Sequence, residues 1–564
     1  MITMKYKIIK GFDVVVVGMG AAGLRAAIAS HDQGARTAVI TMGDNSPTQC
    51  GATTTAEYSY SAPLGIADSK DNADVFFDDI SRAGLSVNNP QLGRLLAEQA
   101  APRLLEMHSW GVRFDLEPDG TLQQNWLAGH SYPRAVHFDY STGREMARGL
   151  HRHVIAKGIQ VLPYRFALDL VVENGRVSGV LVLNIAQDRL EIITGSAVVL
   201  ATGGASGVWD LNSNPPGIDG DGMAMALRAG VELIDMEFEQ FFPACLVAPP
   251  SVRGTNFPFF SRGVLLNCKG KAFLKNYGLE EGRDVRDVLA IAICKEIEAG
   301  RDTPNGGVLV DFRRTPPEIL EDLTKNSKIR YLHDLGFEPL EDQMEIAPSA
   351  HFTMGGIRID ADAKTTIPGL YACGEVCGGC HGANRLAGNA LAETQVFGNI
   401  AGASAAEYAN SDPLGDSGPN ADVVETLIGA VFSRRGTKDI SEAIDDIKQI
   451  RDIMERNVKV IRDEDSLNNA RIRLAELSEK AFAFDEPFGD EAFNYMKVEA
   501  LKQRNMALVA RAVVESALHR DESRGAHYRQ DHPRKRNVWD SYNVVVRLDS
   551  ASGELTTYRR PGNR

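Results

Sequence analysis

No stretch of this sequence reaches the about 18 consecutive apolar residues that a membrane-crossing helix needs, so no segment is expected to span a bilayer. Cysteine is scarce. The seven present are an odd number scattered over 564 residues, which excludes a disulfide framework and points to a reducing compartment, hence the cytoplasm. Positive charge is in deficit, with 61 Lys+Arg against 75 Asp+Glu and a net charge of −14, which argues against nucleic acid or an acidic membrane surface as the main partner. An anionic ligand would need a locally basic pocket. The opening residues MITMKYKIIKG are basic but lack an apolar core and a small-residue cleavage site, so no secretory leader is expected. The length allows three or more packed units.

What is present reads as an α/β chain. Phe12 to Val17 is a short β-branched run that meets Gly18, and Ala21 to Ser30 reads as a helix, giving strand, glycine turn and helix. A second strand is expected over Thr37 to Thr41, followed by a polar loop rich in Gly, Thr and Ser to about Tyr60. Ala197 to Ala201 reads as another buried strand, ending in Thr202-Gly203-Gly204. Between about Glu237 and Glu345 the pattern is irregular and rich in Pro, Gly and Phe, as in an inserted cap, before a second glycine-rich stretch opens at Pro348. From about Asp422 the chain reads helical, with Ile447, Ile450, Met454 and Ile461 at helical spacing among charges. A short β-rich tail covers Asn543 to Tyr558.

Gly18-Met19-Gly20-Ala21-Ala22-Gly23 fits GxGxxG, whose glycines permit a tight turn and let backbone N–H groups at a helix start approach a pyrophosphate. The strand before it and the helix after it favour a dinucleotide site over a merely tight turn. The usual acidic residue at the end of the second strand is missing. Thr41 and Met42 stand there; a hydroxyl can bond a ribose, but recognition by a carboxylate does not follow.

Several long motifs then occur in order: VVLATGG with GDGMAMALRAG, IAPSAHFTMGGI, IPGLYACGEVCGGCHGANRLAGNALAETQVFGNIAG, and ESRGAHYRQDHP. Together they resemble the flavoprotein subunits of succinate dehydrogenase and fumarate reductase, with L-aspartate oxidase and adenylylsulfate reductase as relatives. The resemblance covers most of the chain. It implies an α/β fold: a Rossmann-like FAD domain of the two-dinucleotide-binding type, with an inserted α+β cap and a helical C-terminal domain. The expected division is 1–236 and 346–420 for the FAD domain, 237–345 for the cap, 421–542 for the helical domain and 543–564 for the β tail.

By the same resemblance, FAD is expected against Gly18, Gly20, Ala21, Ala22, Gly23, Thr41 and Met42, the loop residues Thr48, Gly51 and Ala52, and Ala201, Thr202 and Gly203. Asp221 and Glu375 would hold ribose and ribityl hydroxyls, with Gly374 beside the latter; as bare sequence both carboxylates also read as turn residues. Asn389, Ala390 and Leu391 would lie beside the isoalloxazine. Membrane-bound members carry a flavin-bonded histidine where this chain has Pro47, so FAD is expected to be noncovalent. Cys373, Cys377 and Cys380 have a spacing seen at iron–sulfur clusters, but the flavin motif runs through them, and a metal-free reading is preferred.

For chemistry, the resemblance places His351 and Arg385 on a substrate carboxylate and makes Arg286 the group that exchanges a proton with the substrate carbon. Arg283 lies in a second copy of the same R-D-V motif, but Arg286 fits the spacing to Glu296-Ile297 and Gly300 better. Without the other motifs, these two arginines read as a solvated helix face. Arg262, before Gly263 in a rebuilt SRGVLLN loop, is a further catalytic candidate by the same resemblance. Two polar residues of the family's dicarboxylate clamp are replaced by Phe242 and Ala244 in Gln240-Phe241-Phe242-Pro243-Ala244. The expected activity is hydride transfer between FAD and a small organic acid, by desaturation or ene-reduction next to a carboxylate, with fumarate and succinate themselves disfavoured. An adenylylsulfate-reductase-like or other electron-transfer flavoprotein working with an iron–sulfur partner is the alternative. Such a partner would also allow peripheral attachment to a membrane.

Overall fold

The computed structural model describes residues 5–280, 286–415, 418–432, 440–479, 492–549 and 551–562. Four buried valines form β1 (Val14–Val17), and the chain turns at Gly18 into α1 (Ala21–Asp32) and returns as β2 (Thr37–Ile40). Continuous β-branched burial suits a parallel strand covered on both faces. β3 (Gln160–Leu162) and β4 (Ala197–Leu200) extend the sheet. The chain then leaves through an inserted segment carrying β5 (Glu239–Leu246) and β6 (Met344–Thr353) and comes back as β7 (Leu370–Ala372). The order is β7-β4-β1-β2-β3, all parallel.

Helix α2 (Asp221–Arg228) follows β4, α3 (Arg286–Glu298) lies in the inserted segment, and α4 (Asn389–Ser411) follows β7. α4 lies against α1 at backbone distance. A Cβ on Gly402 would stand 2.1 Å from the Ala26 carbonyl oxygen, so glycine is required there. The inserted segment has its own apolar core, including Phe242, Phe257, Phe259, Phe273 and Phe312, under an antiparallel sheet in which β6 pairs with β5 and with Val308–Asp311. The division expected at residues 345 and 346 falls inside β6, which belongs to both neighbourhoods.

Past residue 420 come α5 (Ala421–Phe432), α6 (Ile440–Asn457), α7 (Glu464–Glu479) and α8 (Tyr495–His519). Ile447, Ile450 and Met454 are buried on α6 as their spacing predicts, but Ile461 is not helical. It starts a two-residue strand paired with Tyr528 and Arg529, because the helix has already ended at Asn457. The tail forms a hairpin, β8 (Tyr542–Leu548) and β9 (Leu555–Pro561), and β8 pairs with Leu233–Ile234. The last strands thus close onto the chain just before the inserted segment.

Candidate functional site

A cavity of about 730 Å³ lies against the loops that follow β1, β2, β4 and β7. Open α/β sheets bind ligands outside the carboxyl ends of their strands, where the strand order reverses. Two helix starts line it. Gly18 has φ 111°, and a Cβ there would lie 2.3 Å from the Ala201 carbonyl oxygen, so the turn into α1 needs glycine. At the start of α1 Thr53 Oγ1 accepts the Ala21 N–H at 3.0 Å and Gly20 offers no cap of its own, while α4 begins without a side-chain cap, after Gly388 at φ 80°. Helix N-termini present N–H groups and a positive dipole end to an anion.

Of the residues expected at the cofactor, Gly18, Gly20, Ala21, Ala22, Thr41, Met42, Thr48, Gly51, Ala52, Ala201, Thr202, Gly203, Glu375, Ala390 and Leu391 line the cavity. Thr202 Oγ1 is buried with no partner. Four others stand behind the wall. Gly23 and Gly374 are packing glycines: added Cβ atoms would lie 2.0 Å from the Gly18 carbonyl oxygen and 2.7 Å from Ala22 Cβ. Asn389 is buried at the start of α4, with both side-chain polar atoms unpartnered. Asp221 faces the C-terminal helices, accepting a hydrogen bond from Asn505 Nδ2 at 2.7 Å. Burial raises its pKa to about 6, against the pull of nearby Lys502.

Glu375 accepts the Thr353 N–H at 3.0 Å, and burial pushes its carboxyl up to about 8. Glu239 is fully buried, holds Ser206 Oγ at 2.6 Å and the His351 N–H at 3.2 Å, and is pushed up to about 7 for the same reason.

The other end of the cavity is cationic. Arg286, Arg385 and His351 all line it. Arg385, 6% exposed, donates to Gln240 Oε1 at 2.7 Å and to the Leu386 carbonyl at 3.3 Å, while its Nε has no partner. Arg286 reaches the same Gln240 Oε1 at 3.5 Å. Among the described residues neither guanidinium forms an ion pair with a carboxylate, and burial lowers Arg286 to about 10 and Arg385 to about 9, the latter also through Arg286. His351 Nδ1 meets Ser213 Oγ at 2.8 Å; burial, then Arg385 and Arg286, hold its pKa well below 6.5. Phe242 lies between, 5.1 Å from the Arg286 guanidinium and 5.4 Å from the His351 ring.

Arg262 is not part of this group. It ends a short 3-10 turn, Pro258–Arg262, as an exposed residue whose carbonyl accepts from Thr315 Oγ1, because Gly263 behind it packs onto β-strand Val308–Asp311. Arg283 lies outside the described residues. Sequence reasoning missed Tyr140 and Asn256, which also line the cavity, and Tyr495, Glu499 and Lys502 from α8. Gln240, whose Oε1 both guanidiniums share, was missed too, although its place in the Gln-Phe-Phe run was a signal.

A family model described as an FAD binding domain matches residues 13–391, and one described as fumarate reductase flavoprotein C-term matches residues 447–561. The chain belongs to the succinate dehydrogenase and fumarate reductase flavoprotein family. It is 38% identical over 530 residues to a subunit of the fumarate reductase (CoM/CoB) of Methanothermobacter marburgensis, covering 93% of this chain and 95% of that one. Over 554 residues it is 33% identical to L-aspartate oxidase of Streptomyces coelicolor, covering 95% and 91%. Mycobacterium smegmatis Sdh1, solved with UQ1, superposes with a TM-score of 0.89 at 33% identity, covering 99% and 95%. Adenylylsulfate reductase from Archaeoglobus fulgidus, at 18% identity and TM-score 0.76, shares the fold.

As a member of this flavoprotein family, the chain is an FAD-dependent oxidoreductase. The cavity fits the cofactor: two helix starts, a required glycine turn and the unpartnered Thr202 hydroxyl line it. The thiols of Cys373, Cys377 and Cys380 are buried, which pushes their pKa upward, and the one group of three ligand atoms close enough together to share a metal ion among the described residues is Cys380, His381 and Glu393, without Cys373 and Cys377. Among the described residues no helix is long and apolar enough to cross a membrane.

Proposed function

We propose that this flavoprotein exchanges hydride across the carbon–carbon bond beside the carboxylate of a small organic acid. The observation that carries the reading is the pair of desolvated guanidiniums sharing one neutral acceptor, Gln240 Oε1. A carboxylate between them would take up donors that now lack an anion. Bound FAD supplies the hydride acceptor or donor. Arg385 holds the carboxylate, His351 as neutral imidazole orients it, and Arg286, lowered toward the range of a proton donor, moves the proton at the neighbouring carbon. Phe242 and Tyr140 line the rest of the cavity, which favours an apolar, aromatic or amide end over a second carboxylate.

Fumarate or succinate is the second reading, favoured by the presence of two guanidiniums, enough for two carboxylates, and by the name of the Methanothermobacter marburgensis relative. Steady-state turnover of both C4 diacids should be compared with that of unsaturated monocarboxylates bearing aromatic or amide ends. The monocarboxylates should turn over faster; a C4 diacid above about 10 s⁻¹, the enzyme median, would establish the second reading.

Pro47 heads the turn Pro47–Gln49 and has no nucleophile with which to bond a flavin. Acid precipitation should therefore leave the yellow colour in the supernatant, and a yellow, flavin-bearing peptide would contradict this. Several relatives are named as subunits, which supports electron exchange through a separate iron–sulfur or similar partner and a cytoplasmic or peripheral location.

A further inference from the structure

Dinucleotide sites of this architecture hold the adenosine ribose with an acidic residue at the end of the second strand, and here Thr41 and Met42 occupy that place. Asp221 does not substitute for it, being bonded to Asn505 behind the cavity wall. α8 brings other groups to the wall. Tyr495, Glu499 and Lys502 line the cavity at i, i+4 and i+7, so they share one helix face.

These three stand at the β2 end. Met42 packs in one apolar cluster with Val498 and Leu501 of α8. The Tyr164 N–H donates to the Gly43 carbonyl at 3.0 Å, and the Tyr164 ring meets Phe493, just before α8, at 5.2 Å. Lys502 is 2% exposed; its ammonium lies 3.3 Å from Asp219 Oδ2 and donates to Glu499 Oε1 at 2.7 Å. Glu499, with 42% of its side chain exposed, is thereby fixed at the cavity with one oxygen beyond that bond.

We propose that α8 binds the adenosine half of FAD, with Glu499 accepting the vicinal ribose hydroxyls, Tyr495 covering the adenine ring and Lys502 positioning Glu499. A carboxylate is an acceptor for two hydroxyls, and a tyrosine ring offers a flat apolar face. The inference rests on FAD lying along this cavity with its pyrophosphate at the start of α1; it does not depend on the substrate. It links two events: a ligand that binds only the docked arrangement of α8 stabilises that docking.

The test is flavin affinity of the full-length apoprotein, read by quenching of flavin fluorescence for FAD and for FMN, which lacks the adenosine. Glu499→Ala should weaken FAD about tenfold or more, the factor for a hydrogen bond to a charged group, and leave FMN unchanged. Tyr495→Ala, at an exposed position, should act in the same direction. Lys502→Met should reproduce the FAD-selective loss and Lys502→Arg should restore affinity, whereas a merely structural lysine would lower both flavins together. Equal losses for FAD and FMN in Glu499→Ala and Tyr495→Ala would overturn the proposal, since the isoalloxazine rather than the adenosine would then depend on α8. Unchanged FAD affinity in both variants would overturn it as well.

Discussion

Two groups of buried arginines in this molecule are built on opposite plans. Arg520 and Arg524, side chains fully buried, are surrounded by carboxylates. Arg520 meets Glu237, Glu522 at 3.1 Å and Asp235 at 3.4 Å, and Arg524 grips Glu522 at 2.6 Å and Asp540 at 2.7 Å. Burial alone would lower the Arg520 pKa, but Glu237 and Asp235 outweigh it and hold the guanidinium charged. Arg385 is buried and Arg286 half-buried, and among the described residues neither has a carboxylate in contact. The first group joins the C-terminal chain to the segment before the inserted sheet and works as a bolt. The second carries its desolvation as latent affinity for an anion.

The sharpest way to break this comparison is to remove a member of the bolted group. Arg520→Met leaves Glu237 and Asp235 buried without their cation and should lower unfolding stability by about 3–5 kcal/mol. Thermal or denaturant unfolding reads it, and a loss below about 1 kcal/mol would mean that the carboxylates are neutral and the two groups are not opposites.

On the other side, Arg286→Gln and Arg385→Met should leave stability unchanged or raised, since each removes a desolvated, unpaired charge. Turnover of Arg286→Gln should fall about 10²–10⁴-fold, the usual contribution of a proton-transfer group, with the flavin spectrum intact. An inactive Arg283→Gln beside a fully active Arg286→Gln would reassign the proton to the neighbouring motif.

The smallest effect concerns Glu239, whose folded pKa is about 7 against an ordinary value of 4.5. Between about pH 4.5 and 7 the unfolded chain loses this proton while the folded chain keeps it, so its contribution to stability falls as pH rises through that window. Glu239→Gln should flatten the decline by about 1–3 kcal/mol between pH 4.5 and 7.5, as the difference in pKa sets its upper limit. A wild-type and a variant profile that run parallel over that range would show that Glu239 ionises normally.

The part of the site made of backbone was legible in the sequence, because a glycine turn is a local object: Gly18 and Gly20 are adjacent to the strand and helix that give them meaning. The chemistry-bearing residues Arg385, His351 and Arg286 were reached through the resemblance, since nothing near them in the chain says which arginine is buried without a partner. Arg262 shows the limit. Its place before a glycine suggested the site, and packing around Gly263 left it exposed instead. Ile461 continued a helical spacing past the residue where the helix ends, and Asp221 sat in a legible turn whose side chain is claimed by Asn505, 284 positions away. Side-chain direction across such distances leaves no periodic trace.

Strand β6 has two anchorages. Near its start it is paired to Val308–Val310 within the inserted sheet; near its end the Ala350 N–H is bonded to the Leu211 carbonyl and the Thr353 N–H to Glu375. His351 lies between these last two anchors, with its own N–H held by Glu239 and its Nδ1 against Ser213 Oγ. A shift of the inserted sheet would have to break those bonds before it displaced the ring. The separation of His351 from Arg385 is therefore set on the flavin side of the strand, and the grip on a substrate depends on how firmly that end of β6 is pinned.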